Sequence, residues 1–352
     1  MAVTKRATAR MRAALRSTWV RTTIRFAVGG IVLIAVIAHV GTGPVVRGIV
    51  SVDARTISAA LVLAVIATAA AAWRWRLIAI RLGVDLSWPS AIGMYYRSQF
   101  LNSVLPGGVA GDVHRAVAHG QRAVNLKQSA RAVAIERTSG QAVQLALTVM
   151  ILACVGAQFT GPILAAVSLG LGVVFCAVAA AAAASRRVRA ALRREARELR
   201  AGLGSVRTAG QVALASVVVV ACHVATFTIA IAAVGVDVPL MRMLPLALVV
   251  LLGASVPLNI GGWGPREGVA GWAFAVAGFG ASAGVAASTL FGVLAFIAVA
   301  PGAVIALVWA VRDRTPRTRR ATRDHRASRA PTPRCAAPVI PILVADSPEK
   351  SS

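Results

Sequence analysis

The chain has 352 residues, of which 57% are hydrophobic and 14% charged. With a mean hydropathy of +0.74, it falls outside the range of soluble globular domains and reads as an integral membrane protein. Its 38 Lys and Arg against 12 Asp and Glu leave a formal charge of +26. In a soluble chain that excess would suggest nucleic acid; here its placement in blocks between apolar runs favours membrane topology.

Residues 1–25 form a basic segment expected on the cytoplasmic side. They are Arg-rich and free of acids, but no small-residue cleavage site follows a short apolar core, so the first apolar run is expected to be a retained span. Since about 20 apolar residues cross a hydrocarbon core of about 30 Å, spans are predicted at 26–40, 57–80, 132–155, 163–184, 211–234, 243–258, 269–277 and 286–311. The seventh is short for a crossing. The sequence thus predicts an all-α, polytopic membrane helical bundle of about eight transmembrane helices, with re-entrant or broken segments and a possible internal repeat. The transmembrane domain is placed at 26–311. The tail, 312–352, is rich in Arg, Pro and Ser and is expected to be a disordered basic cytoplasmic segment.

With that count, the basic blocks fall on one face: Lys5 to Arg25, then Arg74, Arg76 and Arg81, then Arg186 to Arg207, then Arg312 to Arg334. The loops opposite, "GAQFTGP" and "GFGASAG", carry no charge. By the positive-inside rule the basic face is cytoplasmic, with both termini on it. The expected partners are membrane lipids, each basic residue near an anionic inner leaflet contributing about 1 kcal/mol; no nucleic acid is expected. The Ala, Val and Arg bias is that of a high-GC bacterial genome, which points to a bacterial cell membrane. The four cysteines show no close pairing, and the five histidines lack a second ligand at metal spacing. No metal and no cofactor is expected.

Three polar intrusions break the apolar rhythm. The first, Met94 to Arg115, carries Arg97, Gln99, Asn102, Pro106, Gly107, Gly108, Asp112 and Arg115. A helix starting at Pro89 must unwind near Pro106, because proline lacks a donor and Gly107 and Gly108 tolerate positive φ. At membrane depth irregular backbone is tolerated only inside protein or along a watery cavity; the plainer alternative is a cytoplasmic loop. In the second, "IERTSGQAVQ", Glu136 and Arg137 would be costly facing lipid, and Gln141 and Gln144 continue a stripe from Arg137 at helical spacing. An inward face and an interfacial, snorkelling position both stay open.

The third, "VPLNIGGWGPREGVAGW", holds Asn259, Gly261, Gly262, Trp263, Gly264 and Pro265, which cannot continue a helix, then Arg266 and Glu267 at the start of the next. An acid suits that first turn, whose free N–H groups can also hold an anion. Aligning Gly107-Gly108 with Gly261-Gly262 gives two Gly-rich breaks, each preceded by Asn and followed by an acid and a base. This suggests two half-sites of an internal repeat that face each other, as in transporters built on broken helices.

"QFLNSVLPGGVAGDVHR", "AIERTSG" and "PLNIGGWGPREG" together resemble the signature regions of the lysylphosphatidylglycerol synthase transmembrane-region family, flippase-like integral membrane proteins. The resemblance runs from about Ala60 to Val311, and "GVAGD" departs from a double glycine before the acid, with Ala110 in its place. It implies a helical fold with re-entrant segments and a cavity that shields a lipid head group during translocation between leaflets. No soluble acyltransferase domain accompanies it here, so synthase activity is not expected.

On that reading Arg97, Arg115 and Arg266 would hold phosphate through bidentate guanidinium contacts. Asp112, Glu136 and Glu267 would neutralise them or receive an amine, while Asn102 and Asn259 would supply neutral hydrogen bonds. Internal ion pairs between helices are the structural alternative for every one of these charges. No P-loop is present, since "GGWGPREG" lacks its Lys and Ser/Thr. Two other classes stay open: a membrane transferase acting on a polyprenyl-phosphate lipid, with Asp112 and Glu267 as base and metal ligand, and a non-catalytic partner of a cell-envelope assembly.

Overall fold

The computed structural model describes residues 41–105, 108–122, 125–155, 157–255 and 263–314, together with Ile34 and Ala38. Most of the expected first span, both expected termini, Pro106, Gly107, Asn259, Gly261 and Gly262 lie outside the described residues.

Among the described residues the chain is helical throughout. A short helix, α1 (Gly43–Val50), opens with Pro44 at its N-terminus, where a missing N–H costs nothing. It is followed by α2 (Ala54–Arg81), whose cap residue Asp53 accepts the Thr56 N–H at 2.7 Å. Then come α3 (Trp88–Val104), α4 (Ala110–Arg122), α5 (Leu126–Val155) and α6 (Ala157–Ala184). A basic helix, α7 (Arg186–Leu203), is capped by Ser185 and leads to α8 (Val206–Ala233), capped by Ser205. The chain closes with α9 (Leu240–Ala254), α10 (Pro265–Val276), α11 (Ala281–Ala298) and α12 (Ala300–Arg314). The described residues up to Leu307 form one compact unit; of the second, the described part is the last turns of α12.

Four helical stretches among the described residues are long and apolar enough to cross a bilayer: Ala54–Arg81, Leu126–Val155, Val206–Ala233 and Ala281–Trp309. They contain the expected second and third spans, all but the last residue of the fifth and most of the eighth, and α6 contains the fourth. At 1.5 Å per residue the 28 residues of α2 reach about 42 Å, whereas the 15 of α9 and 12 of α10 reach only about 22 and 18 Å. The expected sixth and seventh spans are therefore two short helices flanking the Gly-rich break. The same pattern recurs at α3 and α4, of 17 and 13 residues.

In each short pair the arms touch. Gly111 of α4 lies against the Ser98 backbone of α3, and Gly253 of α9 against the Val269 side chain of α10, with no room for a Cβ at either glycine. Both pairs turn back on themselves.

Packing relies on small residues, as expected where lipid competes with protein for apolar contact. Ala60, Ala67, Ala71 and Ala72 are buried along α2, which packs extensively on α8. Gly48 brings α1 onto the Ala286 carbonyl of α11, and Gly284 brings α11 onto the Ala270 carbonyl of α10. The core joins Phe227, Phe274, Phe291, Ile231, Leu246 and Leu290. Phe227 meets Phe291 and Phe274 edge-to-face, with centroids 5.7 and 6.3 Å apart.

Several of the basic residues gather at one end. Arg81, closing α2, donates to Ser205 and Thr208 at the start of α8, at 3.1 and 2.9 Å. Arg131, near the start of α5, pairs with Glu198 of α7 at 2.7 Å. The stretch 186–203 is a helix and not a loop: Ser185 caps it, and its arginines lie mostly on the exposed side while Gly202 packs against Ile135 and Ile78.

Candidate functional site

Depth can be read from that basic end. Arg74 lies seven residues before the end of α2, about 10 Å in, and Glu136 and Ser216 lie ten residues into α5 and α8, about 15 Å in. Glu136 does not snorkel to an interface: its side chain is 0% exposed. It survives there because both carboxylate oxygens are filled. Oε1 accepts Arg74 Nε at 3.0 Å, Arg74 Nη2 and the Tyr95 hydroxyl at 3.2 Å, and Oε2 accepts Arg115 Nη2 at 2.9 Å. Arg74 is completed by Nη1 donating to Ser216 at 2.9 Å.

The first Gly-rich break builds the rest. Leu105, the residue before Pro106, is extended at φ −89° and ψ 145°, as a following proline demands. Gly108 takes φ 59°, and α4 then starts at Ala110. This places Asp112 in the first turn of α4 and Arg115 one turn later. Asp112 Oδ1 accepts from Ser98 and Arg115 at 3.1 and 3.0 Å; Oδ2 accepts from Asn102 at 3.2 Å and pairs with Arg137 Nε at 2.7 Å. Asn102 also accepts the Gly111 N–H at 2.8 Å, tying α3 to α4.

Arg115, 1% exposed, is clamped between the faces of Trp75 and Tyr95, its guanidinium carbon 4.5 and 4.4 Å from the ring centroids. Five charges from α2, α4 and α5 thus form one cluster. Three arginines against two carboxylates leave one formal positive charge, and Arg137, 43% exposed, is where it meets open space.

The second break forms a smaller knot. Glu267 accepts the Gly264 N–H at 2.7 Å from the first turn of α10, and Gly264 needs its glycine because φ is 119°. Arg266 donates to Glu267 at 2.9 and 2.5 Å and to Ser288 at 3.0 Å, while Ser288 donates to Glu267 at 3.2 Å. The guanidinium sits 5.6 Å from the Trp263 ring centroid and 5.3 Å from that of Phe291.

A cavity of about 390 Å³ starts at the first cluster. Its polar lining includes Gln99, Asn102, Arg137, Gln141 and Gln144 with Ser255, and its apolar lining includes Val219, Val220, Leu251 and Val299. Arg137, Gln141 and Gln144, the predicted stripe of α5, all line it. It ends at Ser255, beside the second break, and at Phe291, whose ring carries Arg266.

The predicted residues therefore divide. Gln99, Asn102, Gly108, Glu136 and Arg137 line the cavity; Asp112 and Arg115 stand behind it within the first cluster. Trp263, Arg266 and Glu267 form the second knot, and among the described residues no hydrogen bond or ion pair joins that knot to the first cluster directly. Arg97 is half-buried on α3 and is not among the described lining residues.

Sequence reasoning missed Arg74, which hid inside a block attributed to topology, and Tyr95, Ser216 and His223, single polar groups in apolar or aromatic surroundings. His223 lines the cavity with its ring edge-to-face to Phe291 at 6.4 Å. Among the described residues no group of three His, Cys, Asp or Glu is placed to hold a metal ion.

Membrane-crossing helices around a buried polar cluster and a half-polar cavity define a multi-pass integral membrane protein. The chain matches the family described as Lysylphosphatidylglycerol synthase TM region over residues 22–316 and belongs to it. That family places it among flippase-like, lipid-related membrane proteins. No curated protein and no solved structure matches the chain.

Proposed function

We propose that the chain binds a phospholipid or lipid-linked head group in the cavity and carries it between leaflets while the acyl tails stay in the bilayer. The observation that supports this reading most is the cavity itself. Its lining combines an exposed guanidinium and amides with apolar side chains, and a lipid combines the same two chemistries. Arg115 and Arg266 are committed to carboxylates, so Arg137 becomes the phosphate ligand of this reading.

Transport without a nucleotide motif runs downhill or on an ion gradient. The basic ends of α2, α5, α7 and α8 face the cytoplasm in this reading, by the positive-inside rule, and the membrane is that of a bacterial cell.

Reconstitution tests it. Proteoliposomes loaded with a fluorescent phospholipid should expose it to an external quencher faster than protein-free vesicles, and Gln144→Leu, which greases the polar wall, should slow the exchange. Equal rates in loaded and empty vesicles would refute translocation; turnover of a lipid-linked sugar would instead establish a transferase.

A further inference from the structure

We propose that the cavity selects an anionic lipid whose head group beyond the phosphate is uncharged and hydroxyl-bearing, such as a glycerol or a sugar, and rejects a cationic, aminoacylated head group. This inference rests on the lipid-binding reading above and deepens it.

It comes from which valences of the cavity wall are free. The described lining offers a cationic head group one carboxylate, Glu136, with both oxygens taken by Arg74 and Arg115. Behind it, both oxygens of Asp112 are taken by Ser98, Asn102, Arg115 and Arg137. The cluster keeps a formal positive charge. An ammonium group entering here would meet repulsion without a counter-ion.

What remains uncommitted fits a different ligand. Arg137 spends Nε on Asp112 and Nη2 on the Gly108 carbonyl at 3.2 Å, which leaves Nη1 without a hydrogen bond among the described residues. Gln141 makes no side-chain hydrogen bond among the described residues, and Gln144 uses only Oε1, accepting from Ser255 at 3.4 Å. One guanidinium edge matches one phosphate. Amides that both donate and accept match hydroxyl groups, which do the same.

Fluorescent phosphatidylglycerol, its lysyl ester and phosphatidic acid, each in otherwise identical proteoliposomes, separate the possibilities. Phosphatidylglycerol should exchange at least about tenfold faster than the lysyl ester, the ratio set by repulsion of the added ammonium. Arg137→Gln should bring that ratio towards one. Gln141→Leu should instead erase the preference for phosphatidylglycerol over phosphatidic acid, with unchanged thermal unfolding showing that the fold is intact. If the wild type moves the lysyl ester as fast as phosphatidylglycerol or faster, this inference is overturned while lipid transport stands. If no lipid moves or binds, the transport reading itself falls.

Discussion

Replacing Glu136 by Gln removes the one negative charge shared by two buried guanidinium groups. The side chains of Arg74 and Arg115 are 8% and 1% exposed, so neither can turn to water when the carboxylate is lost. Breaking one partner of a buried ion pair costs about 3–5 kcal/mol, because the remaining charge stays desolvated and unpaired. Here Arg74 loses its carboxylate while Arg115 keeps Asp112 at 3.0 Å, and the new amide would point its own N–H groups at one of the two guanidiniums, which keeps the cost within that range.

The internal comparison is Arg137→Gln. It breaks an ion pair at the rim, 43% exposed, where solvent takes over the lost interaction and the cost falls to about 1 kcal/mol or less. Thermal unfolding in detergent, followed by intrinsic tryptophan fluorescence, should therefore lower Tm for Glu136→Gln by several times the Arg137→Gln shift. The reasoning is refuted if the two variants melt together, or if Arg137→Gln is the worse.

Two glycines test how closely the cluster is packed. A Cβ at Gly140 would lie 2.6 Å from Arg74 Nη1, so Gly140→Ala should push the guanidinium off Glu136 and destabilise by about 1–3 kcal/mol. At Gly111 the obstacle is the Ser98 backbone, which cannot swing aside, so Gly111→Ala should cost more than Gly140→Ala in the same unfolding assay. A third prediction concerns pH at Asp53, outside the spans. The Thr56 hydroxyl and backbone N–H hold its carboxyl below the ordinary 3.8, so the cap should stabilise fully above pH 3.8 and fade as pH falls through the lowered folded value. The Tm difference between wild type and Asp53→Asn should shrink over that interval and stay constant above it.

Much of this fold was legible because a bilayer imposes a length and an apolarity that a sequence must satisfy. The runs at 57–80, 132–155 and 211–234 could be located from composition alone, and their observed helices extend each by a few residues. The break after Leu105 was legible for a local reason as well, since Pro106 constrains its neighbour directly. Arg74 was not legible. Lying in "WRWRLIAIR", it is chemically the same as Arg76 and Arg81, which donate to the Leu86 carbonyl and to Ser205 and Thr208 nearer the basic end. Only the helical register, three-dimensional by nature, turns it toward α5.

The same limit explains why charge type alone was a poor guide to ligand contact. In the sequence, Asp112, Arg115, Glu136, Arg266 and Glu267 look like a wealth of binding groups; in the structure they face one another. Desolvation accounts for this. A buried charge is tolerable only opposite a counter-charge, and the deepest guanidinium, Arg115, leaves Nε and Nη1 without a hydrogen bond but stands behind the cavity and not along it. The residues able to bind are those the protein can leave half-satisfied because the cavity, and not the core, surrounds them. By that criterion Arg137, Gln141 and Gln144, three positions of a single helical stripe, outrank every more deeply buried charge.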